Sequence, residues 1–488
     1  MNTSNLQQVK FWPVMFAIFF GSFITVLSSS TVTIAIPKLE DHFGASLHLV
    51  QWVMTGFMLA MGTIAPITGF LGERFSYKRL YFVSLIGFTL ASLLCTVAWN
   101  IESLIAFRIM QGIFSGLIMP ATMTIIYQII PREKQAMAIS LWGLSAMLAP
   151  AIGPTLAGWL MDIGGWQWLF IMNVPIGVVA VLMVGKLIPF YRLSVPKSFD
   201  LPGFVTVVVS SLALLVAFSQ SGSWGWTDWR TLALFIIGGI VLILFIAREL
   251  SAQEPLLNLR VLTNGRYSST LIITSIITIS LYSGTFLTPI FLQNIQNVTP
   301  LDTGLILLPA SLAMALTMPI VGKIYGKVGP RALMLAGIVL ICIGTFALSK
   351  LTVDISHTYI ILWMMVRNVG IALAMMPASN AGMEQISPLQ SGHASSLSNW
   401  VRNVFGSFSI AIFTSLLSTF GKSESADIVK SGVTDEIQIK LLSFTASVND
   451  VYIVATVVAV IALPLSLLIR RLPKPESAPG GGKLRQTG

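Results

Sequence analysis

Fourteen apolar runs, separated by short polar turns, leave this chain few ways to fold. They lie near 11–36, 49–71, 80–99, 104–127, 136–162, 168–190, 203–220, 231–248, 268–294, 303–325, 331–350, 358–380, 393–419 and 451–470. A helix needs about 20 such residues to cross the hydrocarbon core of a bilayer. Backbone groups in lipid must be satisfied internally, which leaves helices or closed barrels, and runs of this length read as helices. Charged residues make up only 10% of the chain, against about 25% in soluble proteins. The expected fold is an all-α membrane protein with 14 transmembrane helices.

An even number of spans puts both termini on one side of the membrane. Of the 29 basic residues, Lys38, Arg230, Lys350, Lys422, Lys430 and Lys440 fall in loops on the opposite side, Arg108, Arg367 and Arg402 fall inside spans, and the other 20 flank the termini side. Basic residues mark the cytoplasmic face. The expected location is the cytoplasmic (inner) membrane, with both termini cytoplasmic. The net charge of +10 is dispersed among these loops, which argues against nucleic acid. Cys95 and Cys342 sit in apolar runs and the four histidines show no ligand spacing, so neither a disulfide, a metal nor any other cofactor is expected.

A weak internal repeat organises the spans. Gly69-Phe-Leu-Gly-Glu73-Arg74 precedes Lys78-Arg79 after helix 2, and Gly322-Lys-Ile-Tyr-Gly-Lys327 precedes Arg331 after helix 10. Helix 4 carries Arg108 and helix 12 carries Arg367. If spans 1–6 match spans 9–14, helices 7 and 8 are an insert between two six-helix halves. The expected division is 1–192, 193–262 for the insert with its linkers, 263–472, and a disordered cytoplasmic tail over 473–488. Repeats of six helices are a transporter signature.

Helix 5 is the least regular span. Pro150 and Pro154 remove backbone donors, and Gly153 and Gly158 weaken the helix further. Ala149, Gly153 and Ala157 recur every fourth residue, which makes a flat face for close packing against another helix. The expectation is a kinked helix pressed against a partner.

These residues resemble the major facilitator superfamily and, within it, the fourteen-helix drug:proton antiporters. Gly69 to Arg79 is similar to the family's loop 2–3 motif, with Glu73 where Asp is usual. Arg108-Ile-Met-Gln111-Gly112 is similar to the helix 4 motif. Ala149 to Gly158 is similar to the exporters' helix 5 motif, and Asn173-Val-Pro-Ile-Gly177 to a stretch frequent in helix 6. The resemblance implies alternating access by two rocking halves around a central cavity, lined by helices 1, 2, 4, 5, 9, 10, 12 and 13. Glu73 and Arg74 would form a charged gate that locks the outward-facing state; ordinary loop charge is the plainer alternative. Arg108 either faces a cavity or a partner, with Gln111 and Ser115 on its face, or snorkels to the outer interface.

Helix 1 departs from the family. The stretch Leu27-Ser28-Ser29-Ser30 has Ser28 where the resemblance puts an aspartate used for protons or cations. None of the nineteen acidic residues lies near the middle of a helix. Neutral, zwitterionic or acidic amphiphiles therefore gain over dications. Proton coupling would need a carboxylate near a helix end, Glu384 first, with His393 and Arg402 beside it; Arg402 can answer Glu384 or a substrate carboxylate. Cavity candidates are Phe23, Ser28, Gln51, Trp52, Met54, Asn294, Trp363 and Asn399, with Met375 and Met376 further along helix 12. Aromatic and methionine side chains suit promiscuous pockets, though they also simply pack or face lipid. Helices 7 and 8 are almost wholly apolar and receive no substrate role.

The expected protein is a multidrug-type efflux transporter, not an enzyme, whose partners are a small amphipathic substrate, the lipid bilayer and protons. The alternative is a dedicated exporter or flippase for one lipid or metabolite. An outer adaptor protein is left open.

Overall fold

A computed structural model describes residues 10–193, 198–430 and 432–469. The tail assigned to 473–488 and part of the linker after 192 lie outside them. Sixteen helices follow one another, with no strand among the described residues: α1 Phe11–Phe43, α2 Leu47–Ile64, α3 Thr68–Phe75, α4 Tyr77–Thr96, α5 Ile101–Ile129, α6 Arg132–Gly164, α7 Trp168–Ile171, α8 Asn173–Leu187, α9 Leu201–Trp224, α10 Trp229–Ser251, α11 Gly265–Asn294, α12 Pro300–Val328, α13 Pro330–Ala347, α14 His357–Met383, α15 Ser391–Lys430 and α16 Glu436–Leu467. A 3₁₀ turn at Ala65–Ile67, with Pro66 in it, joins α2 to α3 in one span. Likewise α7 and α8 form one span. Among the described residues thirteen spans are long and apolar enough to cross a membrane. The 33-residue α6 lies among them between α1 and α12 and makes the fourteenth.

Helices α1 to α8 pack on one another, as do α11 to α16. The hairpin α9–α10 is the insert. α9 packs against α2 and α15, and α10 packs mainly on α9. Trp400 of α15 donates to Ser211 Oγ of α9 at 2.8 Å.

The repeat is visible in the backbone. Ser76, between α3 and α4, and Gly329, between α12 and α13, both have positive φ, 82° and 89°. Each stands seven residues after the glycine that opens its motif, Gly69 or Gly322. This backbone suits glycine and strains serine.

One stretch differs from expectation. Among the described residues the polar segment 421–450, expected as a loop, is helix except for 432–435 and lengthens the last hairpin. At 40 residues α15 is about 60 Å long, far more than a bilayer core. In sequence, polar side chains suggest a break, although a helix that leaves the membrane needs no apolar face. α6 runs on through its prolines without a break in helical structure.

Candidate functional site

Glycine sets how closely the two groups of helices meet at the end carrying the basic loops. A Cβ on Gly69 of α3 would press on His393 Nδ1 and on the backbone of residues 392 and 393 in the first turn of α15. A Cβ on Gly322 of α12 would overlap Ser140 Oγ and crowd Met137 in α6. The repeated motif glycines thus hold equivalent crossings on two seams. The seams differ beyond that point. α6 and α12 stay together, with Gly143 against Met318 and Gly158 against Leu301. α15 meets α3, α5 and the 3₁₀ turn, and α9 fills in beside α2.

Polar contacts close the basic end. His393 Nε2 lies 3.3 Å from Glu73 Oε1, with 10% and 14% of the side chains exposed. The Asn258 N–H donates to His393 Nδ1 at 3.2 Å. That places the imidazole proton on Nε2, so His393 donates to Glu73. Gln128 of α5 donates to the Pro388 carbonyl at 3.0 Å. Burial pushes the neighbouring Tyr191 phenol above its ordinary range, so it stays protonated. Glu73, expected in a charged gate, thus meets His393 of α15. Expected result: Glu73→Gln, by weakening this contact, favours states open at the basic end by about 1–3 kcal/mol. Labelling of a cysteine placed in the central cavity from the opposite side should fall, and unchanged labelling from both sides would refute the lock.

Above the lock lies a cavity of about 340 Å³ between the two groups, bounded by α1, α2, α5, α6, α11, α12, α14 and α15. Methionines dominate it: Met58, Met61, Met119, Met147, Met314 and Met375. A narrow extension of about 70 Å³ runs on past Met123, Trp142 and Met376 and also contains Asn399 and Arg402. Arg402 is the charged side chain among the described lining residues. Its Nη2 donates to Asn399 Oδ1 at 2.5 Å and its guanidinium lies over the Trp142 ring, 5.5 Å from the centroid. A second concavity of about 270 Å³, between α2, α9 and α15, shares Met58, Met61, Tyr282 and Asn403 with the first.

Of the expected cavity residues, Asn399 and Met375 line the central cavity, Met376 its narrow extension, and Met54 the adjoining concavity. The others do not line these spaces. Phe23 stacks on Phe19, and Trp363 packs edge-on to Tyr359. Gln51 is exposed and Trp52 partly buried near the start of α2, and Asn294 is exposed at the end of α11. Sequence places a residue along a helix but not around its axis.

Ser28 is fully buried and turned away from the cavity. It accepts from Arg108 Nη1 at 3.1 Å, so Arg108 faces a partner on helix 1. Arg108 is itself fully buried, so it does not snorkel. Its Nε donates to the Val53 carbonyl at 3.1 Å, and Nη1 also donates to Gln111 Oε1 at 2.5 Å. Gln111 donates onward to Ser92 at 2.6 Å, and the guanidinium lies 4.1 Å above the Phe57 ring. Ser115 is placed instead against Met61 Sδ. Gly112 lets α5 touch the Phe57 backbone of α2. In the other group Arg367, also fully buried, donates to the carbonyls of Ser280 and Leu281 and to Ser283 Oγ on α11.

Glu384 is not answered by Arg402. It pairs with Arg266 at 2.7 Å and accepts from Tyr325 at 2.6 Å and Asn380 at 3.3 Å. Gly153, with Ala149 and Ala157 beside it, faces α1, where an added Cβ would overlap Ser30 Oγ. Gly158 meets Leu301 of α12, and Arg74 is exposed at the end of α3. The Pro154 side chain lies outside the described residues. Sequence reasoning missed Glu249, whose one signal was a carboxylate closing an otherwise apolar helix. It also missed the cavity methionines of α2, α5, α6 and α12, which nothing in the chain distinguishes from packing.

A family model described as Major Facilitator Superfamily matches residues 18–410. An uncharacterised MFS-type transporter of Bacillus subtilis, YhcA, is 35% identical over 412 residues, 83% of this chain and 77% of that one. The lincomycin resistance protein LmrB of Listeria innocua is 29% identical over 95% of this chain and 98% of its own. The multidrug transporter protein MdtP of Bacillus subtilis is 30% identical over 81% and 73%. The crystal structure of the human organic anion transporter MFSD10 superposes with a TM-score of 0.65 at 12% identity, covering 93% of this chain and 99% of that one.

Proposed function

The chain belongs to the major facilitator superfamily, and from that premise we propose that it exports amphipathic small molecules from the cytoplasm by proton-driven alternating access. The basic end is then the cytoplasmic face of the inner membrane, with both termini on that side, as the loop charges favour. The units 1–192 and 263–472 rock about the cavity, and 193–262 rides with them as the insert. The observation that carries the reading is the methionine-lined cavity between the units, closed at the basic end and holding one guanidinium. Flexible, polarizable methionine accommodates many apolar shapes. The resistance and multidrug names of the relatives LmrB and MdtP support the same class.

Arg402 sets the charge preference. With this cation in the lining and the acids placed elsewhere, neutral and acidic amphiphiles are favoured over dications. The test is efflux from proteoliposomes of anilinonaphthalene sulfonate, its neutral relative N-phenylnaphthylamine, and ethidium. Efflux of the sulfonate and the neutral dye, with ethidium slowest, supports the reading; no efflux of any, or ethidium fastest, opposes it. Arg402→Gln should slow the sulfonate about tenfold relative to the neutral dye, a difference of about 1.4 kcal/mol.

The concavity between α2, α9 and α15 favours a second reading, a dedicated lipid exporter or flippase. Movement of a fluorescent phospholipid between leaflets, with none of the dyes moved, would select it.

A further inference from the structure

The inserted hairpin brings a carboxylate to the lock. Glu249, in the last turn of α10, has no exposed surface. Its Oε2 accepts from the Leu257 N–H at 2.9 Å, and its Oε1 has no hydrogen-bond partner among the described residues. The next peptide N–H, that of Asn258, is the one that donates to His393. Two successive backbone donors therefore join Glu249 to the histidine that reaches across to Glu73.

The unpartnered oxygen points at Gly203, in the first turn of α9. Glu249 Oε1 and Asp200 Oδ2 both lie under 3.0 Å from the position a Cβ on Gly203 would take. Asp200 is 5% exposed, accepts from the Gly203 N–H at 3.1 Å, and pairs with Arg248 at 3.1 Å. Two buried carboxylates thus stand close together, and the guanidinium of Arg248, whose own side chain is 48% exposed, pairs with Asp200. Burying an anion without its own partner is costly, and a proton held on one of the two removes that cost. The other titratable groups around the site are His393 from α15 and Glu73 from α3. Arg260 is turned to the Leu250 carbonyl and Glu254 accepts from Ser198.

We propose that Glu249, with Asp200 beside it, is a proton-binding site of the transporter, linked to the lock through the peptide groups of Leu257 and Asn258 and through His393. While the lock is shut the proton is kept from water at the basic face. Parting α3 from α15 takes His393 away from Glu73, loosens the 257–258 segment, and lets the Glu249 proton leave to water at that face. Once the lock has shut again and the cavity opens to the opposite side, the carboxylate takes its next proton from that side, so each cycle carries one proton towards the basic face.

This rests on the reading of proton-driven export, and the experiment separates the two. Full-length protein is placed in vesicles with a trapped pH-sensitive dye, and anilinonaphthalene sulfonate is the transported probe. Wild-type protein should show proton movement on adding the probe. Glu249→Gln, whose amide oxygen can still accept from Leu257, should keep probe exchange between equal concentrations. It should lose probe-linked proton movement and slow gradient-driven efflux about tenfold or more. If wild type moves the probe without protons, the coupling reading fails. If wild type couples and Glu249→Gln couples as well, with the same pH profile, the site is overturned while coupling stands. If Glu249→Gln loses exchange too, the residue is structural and the proposal also falls.

Discussion

Gly153→Leu abolishes export while the protein still inserts and folds: that is the expected result of filling the contact between α6 and α1. Even one carbon on Gly153 would overlap Ser30 Oγ and press on Ser30 Cβ. Leucine adds three more, with Leu27 Cδ1 already 3.8 Å from the added Cβ. Overpacking costs about 1–3 kcal/mol, and here it is relieved by pushing α1 and α6 apart. Both helices border the cavity, through Thr25, Val26 and Ser29 on one and Ala146, Met147 and Pro150 on the other. Dye efflux per inserted molecule should drop below about a tenth of wild type. Gly153→Ala should do less harm, and Ser30→Ala should restore part of what it loses. Normal efflux by Gly153→Leu would show that the close approach of α1 and α6 has no bearing on transport.

Arg108→Ala should have the second large effect, on stability as much as on transport. The guanidinium holds Ser28, Val53 and Gln111 on three helices and lies over Phe57. Its loss leaves a cavity and several unpaired polar groups in a dry core, at a cost of about 3 kcal/mol or more. The thermal midpoint of detergent-purified protein measures it. Ser28→Asp should behave in the opposite way. The new carboxylate would stand within reach of a buried guanidinium that no described carboxylate accompanies, so the two should pair. Stability should be kept or raised, with no gain of ethidium efflux and no new pH dependence. In Arg108→Ala the same Ser28→Asp change would bury a carboxyl without a partner and destabilise further. A double-mutant cycle measures that coupling, and simple additivity would mean that the side chains do not meet in the membrane.

The spans were legible because the bilayer leaves an uninterrupted apolar run little choice but helix. The repeat was legible because tight turns need particular backbones, and the motif around Gly69 returns around Gly322 with its positive-φ residue at the same offset. Rotation about each helix axis was not legible. Ser28 and Ser29 are neighbours in sequence, yet Ser28 faces Arg108 within one unit while Ser29 lines the cavity. Pairing was illegible for a related reason. Glu384 could have met any of several cations, and the structure gives it Arg266, from the start of α11. Glu249 was hidden by its own helix: the apolar run of α10 looked like pure lipid contact, and only the fold brings its last turn to Leu257, Gly203 and Asp200.

The unequal seams have a mechanical consequence. Where α6 and α12 stay in glycine-spaced contact from the basic end onwards, the two units are bound like the spine of a book. On the other edge α3 and α15 clasp at the basic end, and α9 is slipped between the covers with Leu215 and Phe218 facing the gap. A book with one bound edge opens as a wedge, widest away from the spine. Cargo that first dissolves in the bilayer would meet this free edge, so its working concentration is set by how well it partitions into lipid. Two molecules of equal fit should then be exported in the order of their lipid solubility, and widening or narrowing α9 at Leu215 should change which sizes pass without altering the clasp.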